Sequence, residues 1–194
     1  DIGTGSGGWG NNELQYYTAQ PTNSFIDNGK LIIKAIKENY NEKEYTSARL
    51  RTLNKGDWLY GRIEVSAKIP TGRGTWPAIW MLSSDWSYGG WPESGEIDIM
   101  EHVGYNPNVI HGSVHTEAYN HTIGTQKSTS LTIPTATSTY HTYAIEWFAD
   151  RIDFYIDQYK YFTFNNENSG WEKWPFDKRF HLILNVAVGG NWGG

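Results

Sequence analysis

Apolar and polar residues alternate with a period of two along most of this chain. In 60–69 (YGRIEVSAKI), Ile63, Val65, Ala67 and Ile69 share one parity, and Arg62, Glu64, Ser66 and Lys68 share the other. That is the pattern of a strand with one dry and one wet face. The run 31–37 is β-rich and follows the turn pair Asn28-Gly29. The same reasoning predicts strands over 79–82, 96–102, 110–116, 142–148, 151–156, 160–164 and 181–188. Turn signals at Ala149-Asp150, Asp157-Gln158 and Asn165-Asn166 separate several of them, and Pro70 to Gly74 turns the chain earlier. No long helical stripe is present; 171–180 (WEKWPFDKRF) predicts at most one short helical turn. Many short strands with no repeat and no linker predict an all-β chain, one antiparallel sandwich over 1–194.

The two ends depart from this pattern. The chain opens in loop composition (DIGTGSGG) and stops on GGNWGG soon after a strongly apolar run. A domain normally ends on a tied-down element, so this predicts truncation at both ends and neighbouring strands with unpaired edges.

Composition narrows the function. The 194 residues carry 16 basic and 21 acidic side chains, a net charge of -5, which argues against a nucleic-acid partner. No stretch approaches a membrane span, so no membrane partner is expected. Cysteine is absent, which removes thiolate metal sites, disulfide scaffolding and cysteine nucleophiles. Aromatic residues make up 15% of the chain, with 10 Trp and 13 Tyr, too many for a disordered segment. Flat apolar rings with a polar edge match the mixed character of sugar rings, so the tryptophans are expected to divide between a β core and a ligand groove.

The sharpest chemical feature is Gly95-Glu96-Ile97-Asp98-Ile99-Met100-Glu101. Strict alternation puts Glu96 and Asp98 on one face and Glu101 on the other. One β-bulge between Asp98 and Glu101 would return Glu101 to the face of the other two, and bulges are common beside active sites. The two glutamate Cα atoms would then lie about 13 Å apart, and their side chains could close much of that gap. Carboxyls about 5–5.5 Å apart would suit a retaining glycosidase, and about 6.5–9.5 Å an inverting one. Three carboxylates this close cannot all ionise cheaply, which favours a proton on the outlying Glu101. His115, in the next strand, is placed to hydrogen-bond into the cluster. A calcium site and a plain solvated face are the competing readings of the same pattern. Against the latter, no basic residue interrupts 74–110, and Trp76, Trp80, Trp86 and Trp91 lie nearby.

GEIDIMEHVG resembles the bulged E-x-D-x-x-E catalytic strand of glycoside hydrolase family 16. The blocks GGWGNNELQYYT at 7–18, YGRIEVSAKIPTGRGTWPAIWML at 60–82 and HGSVHT at 111–116 are similar to its laminarinase-like branch, in the same order. The resemblance implies a β-jelly-roll sandwich of two curved antiparallel sheets with an open cleft. It implies retaining, endo-acting hydrolysis of β-1,3-glucans, with a mixed-linkage β-1,3-1,4-glucanase or a non-catalytic glucan-binding protein as alternatives. By that likeness Glu96 is the nucleophile, Glu101 the acid/base and Asp98 the assisting carboxylate. Asn11, Arg62, Trp76, Trp80, Trp91 and His115 are then the substrate-binding residues. No metal or cofactor is expected in catalysis. The family's structural calcium depends on terminal segments not found in this sequence, and a complementary terminal segment is an expected partner if the chain is a fragment. The polymeric substrate implies a secreted, extracellular protein. Asn120-His121-Thr122 also fits an N-glycosylation acceptor.

Overall fold

The computed structural model describes all residues, Asp1–Gly194. In chain order the strands are β1 (Gln15–Tyr17), β2 (Ser24–Asp27), β3 (Lys30–Ile33), β4 (Ile36–Tyr40), β5 (Lys43–Ser47), β6 (Arg49–Arg51), β7 (Asp57–Trp58) and β8 (Gly61–Ala67). They continue as β9 (Thr75–Ser83), β10 (Glu96–Glu101), β11 (Val109–His115), β12 (Lys127–Thr132), β13 (His141–Trp147), β14 (Arg151–Ile156), β15 (Tyr159–Asn165) and β16 (Phe180–Val188), followed by one helical turn, α1 (Gly190–Gly193). No helix is long and apolar enough to cross a membrane.

Two sheets face one another. The larger runs β12-β11-β10-β9-β16-β6, with β7 also on β16, and the smaller runs β15-β14-β13-β8. All pairs within these two sheets are antiparallel. The architecture is a β-jelly-roll sandwich. Beside it lie a short β1-β5-β4 sheet, whose β1-β5 pair is parallel, and the β2-β3 hairpin.

The period-two pattern explains why the sheets stack. Ile63 of β8, Tyr143, Ile145 and Trp147 of β13, and Ile152, Phe154 and Ile156 of β14 are buried against Ile79 and Met81 of β9, Ile97 and Ile99 of β10, and Ile110 and Val114 of β11. Each such side chain contributes about 1.5–3 kcal/mol on burial, so a one-residue slip of any strand would forfeit several contributions at once. Trp147 anchors the centre: its ring meets Tyr60 and Phe180 edge-on, and its indole N–H donates to Phe176 O at 3.1 Å.

One local expectation is corrected and a second holds. The run 31–37 is not one strand. It breaks at Lys34-Ala35, because β3 is committed to the hairpin closed by Asn28-Gly29 and β4 pairs instead with β5. The 171–180 stretch holds the single turn expected of it and no longer helix. Trp174 N–H reaches Gly170 O at 3.1 Å, and Pro175 follows without a donor to extend the turn. Trp174 and Phe176 then plug into the core.

Candidate active site

The cleft lies on the face of the large sheet that points away from the core. Along β9, Pro77, Ile79 and Met81 turn inward, and Trp76, Ala78, Trp80 and Leu82 line the cleft. On β10 the parity slips as expected. Asp98 pairs with Trp80 and Met100 with Ile79, leaving Ile99 without a partner on β9; on the other side Asp98 pairs with Ser113 and Glu101 with His111. This bulge sends Ile99 and Met100 together into the core and returns Glu101 to the cleft beside Glu96 and Asp98. The main hollow is about 560 Å³, and a second of about 340 Å³ adjoins it, sharing Asn11, Trp76, Glu96, Glu101 and His121.

Each outer carboxylate has its own indole donor. Trp91 Nε1 donates to Glu96 Oε2 at 2.7 Å, and Trp76 Nε1 donates to Glu101 Oε1 at 3.0 Å. Asp98, buried between them, faces His115 Nε2 at 3.2 Å. Burial, and then the neighbouring Asp98, push Glu96 up to about 8, against the pull of His115 and the Trp91 bond. Burial, and then Glu96, push Glu101 up to about 7, against the Trp76 bond and His115. Asp98 is raised well above the usual carboxylate range by burial and by Glu101. Burial thus raises all three carboxyls together, and they titrate as one unit. Glu96, Asp98 and His115 each offer a donor atom, all within 4.8 Å of one another, so this trio could also hold a cation.

The other expected residues divide. Trp80 lines the cleft with its Nε1 bonded to Asn185 Oδ1 at 2.7 Å. Asn11 borders both hollows and reaches Glu13 Oε1 at 3.5 Å. Trp91 and His115 adjoin, with ring centroids 6.1 Å apart. Arg62 is not in the cleft. It sits exposed on β8 of the smaller sheet, paired with Glu64 and with Glu146 at 3.2 Å, its guanidinium over the Tyr155 ring. Its alternation correctly marked a wet face, but that face is the outer one.

The cation that lines the cleft is Arg49, on β6. Its guanidinium lies 4.3 Å from the Trp9 ring centroid and 4.8 Å from that of Trp80. Below it, Glu13 accepts from Gln15 Nε2 at 2.6 Å and Tyr17 OH at 3.3 Å, and Asn185 Nδ2 donates back to Tyr17 OH at 3.0 Å. Burial raises Glu13 above its ordinary range, opposed by these bonds and by Arg49. Asn185 had a visible signal, a lone amide in the apolar run LILNVAV. Arg49 had none.

Loops complete the walls. The turn at Gly8–Asn12 uses left-handed backbone at Gly8, Trp9, Gly10 and Asn12. A Cβ on Gly8 would lie 2.5 Å from Glu13 N, so glycine is required there. The terminal turn α1 is tied to this loop by Asn12 Nδ2 donating to Asn191 Oδ1 at 2.8 Å, and it sets Trp192 edge-on against Trp76 and His111. Six of the ten tryptophans line the two hollows. Asn120 is buried, and its amide donates to Thr116 O at 3.1 Å and Glu117 O at 3.0 Å. It anchors the His121 turn, and the N-glycosylation reading fails because the amide is committed.

Comparison with known proteins agrees with this geometry. Residues 11–194 match the model for glycosyl hydrolases family 16. The chain is 54% identical to a beta-glucanase of Rhodothermus marinus, over all of this chain and 71% of that protein. It superposes with a TM-score of 0.97 on the laminarinase of Rhodothermus marinus, covering 100% of this chain and 80% of the other at 54% identity. A second structure, a mutant of a non-specific endo-beta-1,3(4)-glucanase co-crystallised with 1,3-beta-D-cellotriosyl-glucose, superposes with a TM-score of 0.94 at 46% identity, covering 100% and 78%. The chain belongs to glycosyl hydrolases family 16.

Proposed function

We propose that this chain is an endo-acting hydrolase of β-1,3-glucosidic bonds in laminarin-type glucans, working by double displacement with retention. The observation that carries the reading is the β10 bulge, which gathers Glu96, Asp98 and Glu101 in one tryptophan-lined cleft, with an indole donor on each glutamate.

Glu96 attacks the anomeric carbon as the proton of Glu101 passes to the glycosidic oxygen, and the leaving sugar departs with its new hydroxyl. Glu101, now ionised, takes a proton from water, whose oxygen attacks the same carbon and releases Glu96. Asp98 holds the proton it shares with Glu96, so that Glu96 is anionic when it attacks. The Trp91 N–H steadies that anion and fixes its rotamer. Trp76, Trp80 and Trp91 offer ring faces and edges to the sugars, and Asn11, Arg49 and His115 meet hydroxyl groups. No cofactor enters this scheme, since the nucleophile and both proton transfers come from side chains. Polymeric glucans lie outside cells, and we place the protein's work there.

Product analysis on laminarin and on barley-type glucan tests the substrate. Release of short oligosaccharides from within laminarin is expected; action on mixed-linkage glucan alone would shift the reading to a β-1,3-1,4-glucanase. Glu101→Ala tests the mechanism. Its turnover of substrates with activated leaving groups should recover on adding azide, giving a glycosyl azide of retained configuration. An inverted azide product would overturn retention and the role of Glu96.

A further inference from the structure

The Asp98–His115 contact is incompletely satisfied. The two atoms face each other at 3.2 Å, yet Asp98 Oδ2 has no aligned hydrogen bond, and His115 Nδ1 has no partner either. Both residues are deeply buried, Asp98 at 1% and His115 at 7% exposure. Burying such polar atoms without aligned partners is costly. Glu96 adjoins them: Trp91 engages one of its oxygens, and a carboxylate oxygen lies within 4.8 Å of the Asp98 and His115 donor atoms.

We propose that Glu96, Asp98 and His115 form a binding site for a transition-metal dication of the zinc and cobalt class, and that ion and glucan exclude one another from the cleft. Tetrahedral zinc bonds of about 2.0–2.2 Å place neighbouring donors roughly 3.4 Å apart. The Asp98–His115 pair already has nearly that spacing, and the three donors lie within 4.8 Å of one another, so small side-chain rotations close the set. Two carboxylates and an imidazole suit zinc, cobalt or manganese. They are too few and too nitrogenous for calcium or magnesium, which take six or more oxygens. Three protein donors leave a fourth position open toward the cleft. A dication also neutralises two buried carboxylates; the opposing cation is Arg49, whose charge acts on Glu96 across the cleft.

An ion there occupies the lone pair Glu96 needs for attack and fixes the carboxyl that must move. Exclusion of glucan rests on the proposed function, but ion binding does not. Titration of the intact protein with Co²⁺ reads the site through the visible ligand-field absorption, and calorimetry with Zn²⁺ reads it again. One equivalent of tetrahedral-type Co²⁺ signal is expected. His115→Ala and Asp98→Asn, each checked for native circular dichroism, should weaken it by roughly tenfold or more. His111→Ala and His121→Ala should bind within about twofold of wild type. Laminari-oligosaccharide should displace the ion, and chelator should restore hydrolysis. Absence of the signal, or its survival in both His115→Ala and Asp98→Asn, would overturn the site. Co²⁺ binding by a protein inactive on every glucan would sink the proposed function and leave the site standing; hydrolysis without any Co²⁺ binding would do the reverse.

Discussion

On the outer face of the smaller sheet, β8, β13 and β14 each contribute one carboxylate, and each meets a cation. Glu64 and Glu146 share Arg62, and Asp153 takes Arg151 Nε at 3.0 Å and Lys160 Nζ at 3.5 Å. Burial alone would raise Asp153, but the bonds from Thr163 and Arg151 and the charge of Lys160 hold it below the ordinary range. On the cleft face, Glu96, Asp98 and Glu101 meet indole N–H groups and one another, and all three are raised. Both faces use the same residue types, on three strands in one case and on a single bulged strand in the other. The difference is the withheld counter-charge: a carboxylate pinned by arginine cannot hand over a proton near neutral pH, and one held by neutral donors can.

The largest effect separates the faces directly. Glu96→Gln should cut turnover of laminarin by at least about 10⁴-fold, as loss of a covalent nucleophile does. Glu64→Gln should leave it within about twofold. Reducing-end release measures both, and comparable losses in the two variants would erase the distinction.

The two arginines give the next contrast. Arg49→Ala removes a partly buried cation held against Trp9 and Trp80, and should lower kcat/KM by about 10–100-fold, an effect of roughly 1.4–2.7 kcal/mol. Arg62→Ala breaks an exposed ion pair worth about 1 kcal/mol or less, and should leave kcat/KM unchanged. Steady-state kinetics on laminari-oligosaccharides tests the pair; a large loss in Arg62→Ala with none in Arg49→Ala would reverse the assignment.

Stability should move the opposite way from activity. The native value of Glu101, about 7, lies above the ordinary 4.5. Between those values the native state keeps a proton that the unfolded chain releases, so stability from this group is full below about 4.5 and is lost as pH rises through about 7. Glu101→Gln removes that cost and should stabilise the protein by about 3 kcal/mol at pH 8, converging with wild type near pH 4. Denaturant unfolding at the two pH values measures it. A variant less stable than wild type at pH 8 would mean that Glu101 is held as a satisfied anion, like Asp153.

The contrast also explains what could be read from the chain. The strands β8, β10, β13 and β14 were legible because side-chain parity is local. The bulge was legible because two glutamates five residues apart cannot share a face without one. The side of the sandwich on which a wet face lies is not local. Arg62 and Arg49 look alike in sequence; what separates them is that β8 pairs with β13, whereas β6 pairs with β16, Leu50 opposite Leu184. The short strands β1, β5, β6, β7 and β12 carry too few apolar positions to show a period, and tertiary pairing defines them. The glycine-rich ends read as loose loops, yet they interlock through Asn12 and Asn191 to seat Trp192 on the cleft wall. That contact joins residues 179 positions apart.

The smallest effect is the most direct probe of neutral donors as tuning devices. The Trp76 N–H bond favours the ionised form of Glu101 and so pulls against burial. Trp76→Phe keeps a ring against Trp192 and deletes the donor. In the proposed mechanism Glu101 must be protonated to act as the acid, so the basic limb of kcat/KM reports its titration in the free enzyme. Losing the donor should move that limb to higher pH, with a loss of less than about tenfold at the optimum. Weakened sugar stacking alone would raise KM at every pH and leave the limb where it is. A limb that stays fixed, or moves to lower pH, would show that the indole sets only the shape of the cleft and that burial alone sets the proton affinity of Glu101.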